Sequence, residues 1–543
     1  MSQKQRGADA LVGALSAAGV RHIFSLSGNH IMPIYDALFG SDIALFHTRH
    51  EAATVHMADA YARITGEVGI AMVTGGPGHA NAVSALYTAQ MAEAPLVLLS
   101  GHAPNNQLGM GAFQEMRQAD MAAPVTKAAW TCASADDVAT DIAKAIRIAR
   151  SGRPGPVHLS LPSDALEQDV SRVTALSAQD FEPQAQPLEA GVAKDIWARL
   201  SKAQRPIIVA GPACMTRRGR PLLQALQAAC GIPVVGTESP RGVADPALGA
   251  FAQMLAQADC VLLLNKRMDF TLKFGQSPAF DAACRFLQVD PDAEEIERGQ
   301  RNLGARLDLS AQADAWSALN ALTQSAQAPG AGHADWLKQV QQAVSYRPPA
   351  WDQARSELPG CMHPVQAMRP LQALLDSHPD AVFISDGGEI GQWAQACLRA
   401  PHRVVNGVAG SIGSGLSYAL AARVAVPDAP VIAVMGDGTI GFHISEFDTA
   451  VRYRLPCVVV VGNDQRWNAE YQIQLRDYGK DRTIGCELEP TRYDQVAVAF
   501  GGHGEQVTRT EEVLPAAQRA LASGKPACLN VMIEGVPAPS VKA

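Results

Sequence analysis

What this 543-residue sequence lacks narrows its class at once. It has no basic run: 45 Lys and Arg against 53 Asp and Glu give a formal charge of −8, spread along the chain. A nucleic-acid or lipid-headgroup footprint is therefore not expected. No uninterrupted apolar stretch approaches the ~20 residues of a membrane span, so no membrane partner is expected either. The ten cysteines are scattered, with no C-x-x-C and no metal-ligand spacing. That argues against a disulfide framework or structural zinc and for reduced, packed thiols. Charged residues make up 18% and hydrophobic ones 47%, and the mean hydropathy is −0.01; large-scale disorder is excluded. The N-terminal MSQKQRGADALVGALSAAG shows neither a signal peptide's apolar core nor its cleavage site, and Leu11, Val12 and Leu15 fall at helical spacing. A cytoplasmic enzyme is the expectation.

One hydrophobic core cannot serve a chain of this length, and roughly three to four domains are expected. Short apolar strands at 43–46, 69–73, 95–100 and 157–161 alternate with Ala-rich helical patterns at 52–64 and 83–91. That alternation predicts a doubly wound α/β domain. From 162 to about 191 the periodicity gives way to Ser, Gln, Pro and Glu, a linker composition. A second series (206–210, 232–235, 260–264, 286–289) fades near Thr323, where SAQAPGAGH offers a second flexible join. The third begins near His363, with strands at 381–385, 431–435, 457–462 and 528–533. The expected architecture is three doubly wound α/β domains with mostly parallel sheets, over residues 1–165, 190–323 and 355–540.

The most informative stretch is VIAVMGDGTIGF at 431–442. An apolar strand ends in Gly436, Asp437 and Gly438 at its carboxyl end, where open α/β sheets bind ligands. Glycines let backbone N–H groups approach an anion, and the following helix N-terminus favours negative charge. An Asp between glycines can equally be a turn residue capping the next helix, which carries Ile444, Phe447 and Val451 on one face. A second apolar strand, CVVVVG at 457–462, then leads into Asn463 and Asp464. Asp437 and Asp464 are 27 residues apart, a strand–helix–strand crossover, which puts both at one edge of a parallel sheet. Two such oxygen ligands suit a hard cation such as Mg²⁺, shared with diphosphate oxygens and a backbone carbonyl.

On these residues the chain resembles the thiamine-diphosphate enzymes, whose signature is a GDG followed one crossover later by a pair of asparagines. TRHEAA at 48–53 is similar to the family's catalytic-glutamate segment, and VTGGPGHAN at 73–81, with Pro77 and Asn81, to its pyrimidine-side loop. FQE at 113–115 and APVTK at 123–127 fall in family order, and the resemblance spans nearly the whole chain. It implies pyrimidine-binding, middle and diphosphate-binding domains, with thiamine diphosphate and Mg²⁺ as cofactors.

The resemblance assigns Glu51 to the pyrimidine N1′, where a carboxylate promotes the imino tautomer that generates a C2 ylide. Glu51 would also be a satisfied acid at a helix N-terminus. In GSIGSG at 410–415, the Gly410 backbone is implied to face the aminopyrimidine and Ile412 to be the wedge that bends the cofactor. The other reading is a glycine-rich turn with a core isoleucine. Gly436, Asp437, Gly438 and Thr439 are assigned to the diphosphate. The family's usual metal-ligand asparagine aligns with Asp464, and Asn463 takes the structural first position. Asp437, Asp464 and the Arg466 carbonyl are the implied metal ligands, with one extra negative charge as the departure. Glu51 and Asp437 lie 386 residues apart and in the family come from different subunits, so a homodimer or homotetramer is implied.

Within the family the chain is most similar to the acetolactate synthase, benzaldehyde lyase and 2-hydroxyacyl-CoA lyase branch. FSLSGNH at 24–30 carries a histidine, His30, that benzaldehyde lyase-like enzymes share, and Gln114 matches their glutamine. His30 could relay protons to a substrate oxygen, or be an ordinary loop histidine. Glu446, Asp448 and Arg452 also match but report ancestry. Gly391 stands where the aromatic-aldehyde enzyme offers a tyrosine, and Asn468, Glu470 and Gln474 add polarity, which favours a larger or more polar acceptor. KRMDFTLKFG at 266–275 resembles the middle-domain segment of CoA-dependent relatives. With Arg217, Arg218 and Arg220 it could bind ADP or coenzyme A, although a solvated basic surface is the preferred reading. FAD, held by acetolactate synthases in the middle domain, is the related question. The implied activity on a small-molecule substrate is C–C lysis or carboligation of 2-hydroxy ketones, 2-hydroxyacyl thioesters or 2-keto acids through a C2 ylide and an enamine. An acetolactate synthase is the first alternative, and a cofactor-binding protein without catalysis the second.

Overall fold

The computed structural model describes residues 5–326, 330 and 332–542. Four N-terminal residues, and positions 327–329 and 331 of the expected second join, lie outside the described residues. Three parallel sheets carry the fold, and the chain divides into two compact units, residues 1–185 and 186–543.

In the first unit, β1 (His22–Ser25), β2 (Ala44–His47), β3 (Gly69–Val73), β4 (Leu96–His102), β5 (Ala128–Thr131) and β6 (Pro156–Pro162) form a sheet of order β2-β1-β3-β4-β6-β5. Every residue of β3, β4 and β6 is buried, as expected of parallel strands covered by helices on both faces. The order reverses between β1 and β3, so the loops after these strands border a crevice at the carboxyl edge. The linker expected from 162 onward contains a short helix, Ser163–Glu167, and a 3-10 turn, Ala178–Phe181, before the unit ends at residue 185.

The second unit holds two sheets. One comprises β7 (Pro206–Ala210), β8 (Val234–Gly236), β9 (Cys260–Leu264), β10 (Arg285–Asp290) and β11 (Leu307–Gln312), in the order β11-β10-β9-β7-β8. A helix beyond the expected 323 limit, His333–Ser345, packs on it: buried Trp336 donates from Nε1 to the Pro206 carbonyl at 2.9 Å. The other comprises β12 (Val382–Ser385), β13 (His402–Val405), β14 (Val431–Gly436), β15 (Val458–Asn463), β16 (His503–Val507) and β17 (Ala527–Met532). Its order is β13-β12-β14-β15-β17-β16, with all pairings parallel and the reversal between β12 and β14. Among the described residues all ten cysteines are free thiols, eight of them buried. No described helix is long and apolar enough to cross a membrane.

Candidate active site

In the first unit the site grows from the carboxyl ends of β1, β3 and β4. Glu51 opens the helix Glu51–Thr65, where the helix dipole favours its charge. Its Oε2 accepts from Asn81 Nδ2 at 3.0 Å. Pro77 occupies the first position of the helix Pro77–Met91, where its missing N–H costs nothing. The turn before it needs glycine: Gly76 has φ +60, and a Cβ there would lie 2.8 Å from the Gln114 Cβ. A Cβ on Gly78 would meet Thr74 Cγ2 at 2.8 Å and Glu51 Oε1 at 3.4 Å. The pyrimidine-side loop is thus a close backbone cradle over the glutamate, which suits a flat heterocycle hydrogen-bonded to a carboxylate.

His30 and Gln114 meet the same loop from the other side. His30 is buried, its Nδ1 lies 3.3 Å from Thr74 Oγ1, and its ring stacks on exposed Phe113 at 6.0 Å. Burial, then the nearby His102, lowers its pKa and favours the neutral imidazole. Gln114 holds a left-handed backbone at φ +59, rare for a residue with a side chain. Glu51, Pro77, Asn81, His30 and Gln114 are therefore brought together.

In the second unit the residues converge at the β12/β14 reversal. Ile412, Gly436, Asp437, Gly438, Thr439, Asp464 and Arg466 line one cavity of about 70 Å³. Gly410, with φ +70, is exposed on the turn just before it and does not line that cavity. Ile412 is pressed onto the turn after β12, where a Cβ on Gly387 would fall 2.4 Å from its Cγ2. Buried Asp386 holds that arrangement, accepting from the Gly387 N–H at 2.9 Å and the Gly413 N–H at 2.9 Å. Gly438 cannot carry a side chain, since a Cβ would meet the Trp467 ring at 2.8 Å.

The acids carry an electrostatic load. Asp437 accepts from the Gly438 N–H at 3.0 Å and the Arg466 N–H at 3.2 Å, yet burial pushes it up to about 6. Burial and then the Asp437 carboxylate push Asp464 up to about 8. Two desolvated carboxylates facing each other are unfavourable unless a cation offsets them. Their donor set fits a hard divalent ion, completed by the Arg466 carbonyl and by ligand oxygens. No cluster of three or more His, Cys, Asp or Glu suited to a metal occurs among the described residues, so protein side chains alone would not fill its coordination shell. Asn463 sits apart from the acids: its Nδ2 donates to the Asn530 Oδ1 and the Thr491 carbonyl.

Some expected positions face elsewhere. Gly391 is packed inside its helix, where a Cβ would lie 2.1 Å from the Asp386 carbonyl oxygen, so it opens no space for an acceptor. Gln474 is spent on a two-way clamp with the backbone of Ile484, whereas Asn468 and Glu470 do line the 70 Å³ cavity. Arg217 pairs with Asp380, Arg220 with Glu238 and Arg267 with Glu295, while Arg218 stacks on Trp316. Lys266 is buried on Thr271 Oγ1. Between the ends of β7 and β9 the two backbones approach closely, and a Cβ on Gly211 would fall 1.8 Å from the Asn265 carbonyl oxygen. A cavity of about 920 Å³ lies beside Arg241, Lys273, Gln392 and the C-terminal 538–542. Glu389 and Trp467, not singled out from sequence, also line the small cavity. Neither carries a motif of its own.

Comparison with known proteins agrees with this geometry. Family models of the thiamine pyrophosphate enzymes match the N-terminal TPP-binding domain at residues 5–121, the central domain at 193–322 and the C-terminal TPP-binding domain at 386–531. The chain is 35% identical over 536 residues to the acetolactate synthase large subunit IlvG of Mycobacterium tuberculosis, covering 96% of this chain and 94% of that one. It is 30% identical over 587 residues to the human 2-hydroxyacyl-CoA lyase 2, covering 97% and 90%. With three matching domains and relatives aligned along almost its whole length, the chain belongs to the thiamine-pyrophosphate enzyme family and is a thiamine-diphosphate-dependent enzyme.

Proposed function

We propose that the protein is a Mg²⁺-supported lyase/carboligase that breaks or makes a C–C bond beside a carbonyl, with 2-hydroxy ketones, 2-hydroxyacyl thioesters or 2-keto acids as donors. The observation that carries this reading is that buried His30 and Gln114 both meet the turn before Pro77: His30 Nδ1 lies 3.3 Å from Thr74 Oγ1, and a Cβ on Gly76 would lie 2.8 Å from the Gln114 Cβ. Thiamine diphosphate, when bound, supplies the carbon nucleophile and the electron sink for such a bond. Glu51 would hold the pyrimidine ring by a hydrogen bond, kept in one orientation by Asn81. Asp437, Asp464 and the Arg466 carbonyl would hold Mg²⁺ against the diphosphate, while Gly436, Gly438 and Thr439 leave room for it and Ile412 supports the ring. His30 would give or take a proton at the substrate oxygen, and the Gln114 amide would orient that oxygen.

Each unit carries residues for one end of the cofactor, which supports a homodimer or a tetramer of dimers, placed in the cytoplasm. Gln392 lines the 920 Å³ space and donates to Glu389 Oε2 at 2.9 Å, and Glu389 lines the small cavity. The similarity to acetolactate synthases supports a second reading, decarboxylation of pyruvate and transfer to another keto acid. Incubation of the Mg²⁺-thiamine-diphosphate-loaded protein with benzoin, pyruvate and a 2-hydroxyacyl-CoA panel separates them. Cleavage of benzoin or a hydroxyacyl-CoA, abolished in His30→Ala, is expected. Acetolactate from pyruvate alone would establish the second reading, and no turnover of any donor would leave a cofactor-binding protein. A colourless preparation is expected; a yellow one would indicate FAD.

A further inference from the structure

Behind the His30 and Gln114 wall lies one side chain that the functional reading does not use. Gln118 is almost fully buried, and its amide is satisfied three ways. Its Oε1 accepts from the Gly76 N–H at 2.9 Å. Its Nε2 donates to the Gly101 carbonyl at 3.1 Å and to Ser160 Oγ at 3.2 Å. These partners belong to three separate pieces of chain: the turn after β3, the end of β4 and the core of β6.

Two of the pieces press directly on the candidate substrate residues. A Cβ on Gly76 would strike Gln114, and a Cβ on Gly101 would lie 2.5 Å from the His30 Cβ. The turn after β3 and the end of β4 also touch each other, since a Cβ on Gly75 would meet the Gly101 carbonyl oxygen at 2.7 Å and Gln118 Oε1 at 3.1 Å. The third partner is a fixed anchor. Ser160 Oγ lies 2.9 Å from His158 Nε2 inside the sheet, and burial holds that histidine neutral. Only a planar amide offers one acceptor and two donors at these angles. An aliphatic side chain offers neither, and a carboxylate offers no donor.

We propose that Gln118 is a positioning residue that sets the spacing between His30 and Gln114, by tying the end of β4 beside the one and the turn after β3 beside the other to one anchor on β6. The proposal rests on the functional reading above. It predicts that loss of the amide disturbs substrate chemistry while leaving cofactor activation by Glu51 in place.

The test uses the full-length protein with added Mg²⁺ and thiamine diphosphate, comparing Gln118→Leu, Gln118→Glu and Ser160→Ala. In Gln118→Leu, deuterium exchange at the cofactor C2 is expected to stay within about twofold of wild type. Its kcat should fall about 10- to 100-fold with little change in KM, the size expected when reacting groups are displaced by about 1 Å. Without cofactor, amide hydrogen exchange across residues 74–79 should quicken in the same variant. Gln118→Glu should fall between, and Ser160→Ala, which loses one bond of three, should lose no more than about threefold. A Gln118→Leu protein with wild-type kcat, or one in which C2 exchange falls in step with kcat, overturns the proposal alone. A wild type that neither binds the cofactor nor exchanges its C2 proton overturns the functional reading, and this proposal with it.

Discussion

The first unit meets its candidate ligand with a single carboxylate, Glu51, bonded to the Asn81 amide, whereas the third sheet meets its own with two carboxylates whose charge burial disfavours. Around Glu51, the Asn81 amide bonds Oε2, Gly78 packs beside Oε1, and the Thr74 hydroxyl lies 3.3 Å from His30 Nδ1. Around Asp437 and Asp464, two carboxylates are desolvated together and both titrate high, at about 6 and about 8. Both sites sit at the reversal of a parallel sheet. The contrast shows that the same sheet edge can carry one hydrogen-bonded carboxylate or two carboxylates buried close enough to disfavour each other's charge.

The comparison breaks most visibly at Glu51. Glu51→Gln keeps the hydrogen-bonding shape but cannot carry the charge, and turnover of any accepted donor is expected to fall by about 100-fold or more; steady-state kinetics at saturating cofactor would check this. At the other site, Asp464→Ala should weaken Mg²⁺ and thiamine diphosphate binding about 10- to 100-fold, with little change in folding, as read by calorimetric titration. Equal affinities would show that Asp464 is not a ligand. The smallest effect concerns Asp386, whose carboxyl is pushed up to about 6 by burial. A folded-state pKa above the unfolded value means that its stabilising contribution is present below about pH 4 and is lost as the pH rises through about 6. Relative to Asp386→Asn, wild type should therefore lose on the order of 1–3 kcal/mol between pH 4 and pH 8, measured by chemical denaturation.

Legibility followed the same physics. The central strands Gly69–Val73, Pro206–Ala210 and Cys260–Leu264 coincide with the apolar runs that announced them, because a parallel strand buried on both faces has no other sequence option. Edge strands such as Ala128–Thr131, Leu307–Gln312 and His503–Val507 keep one side partly open, carry polar residues and were not readable as strands. The acids at Asp437 and Asp464 were visible because crossover length fixes their common edge. The packing of Gly391 against the Asp386 carbonyl had no signal in the sequence, because a motif position says nothing of which way a helix turns its residues. Gln118 left no signal, since its three partners are brought together only by folding of strands far apart in the chain.

Turnover through a C2 ylide requires that Glu51 activate the cofactor in this chain. The direct measurement is the exchange rate of the thiamine diphosphate C2 proton on the Mg²⁺-loaded protein, followed by quenched-flow NMR in deuterated buffer. Wild type should accelerate exchange far above the free cofactor, and Glu51→Gln should slow it by about 100-fold or more. Equal exchange in the two proteins, or none above the free cofactor in wild type, would contradict it.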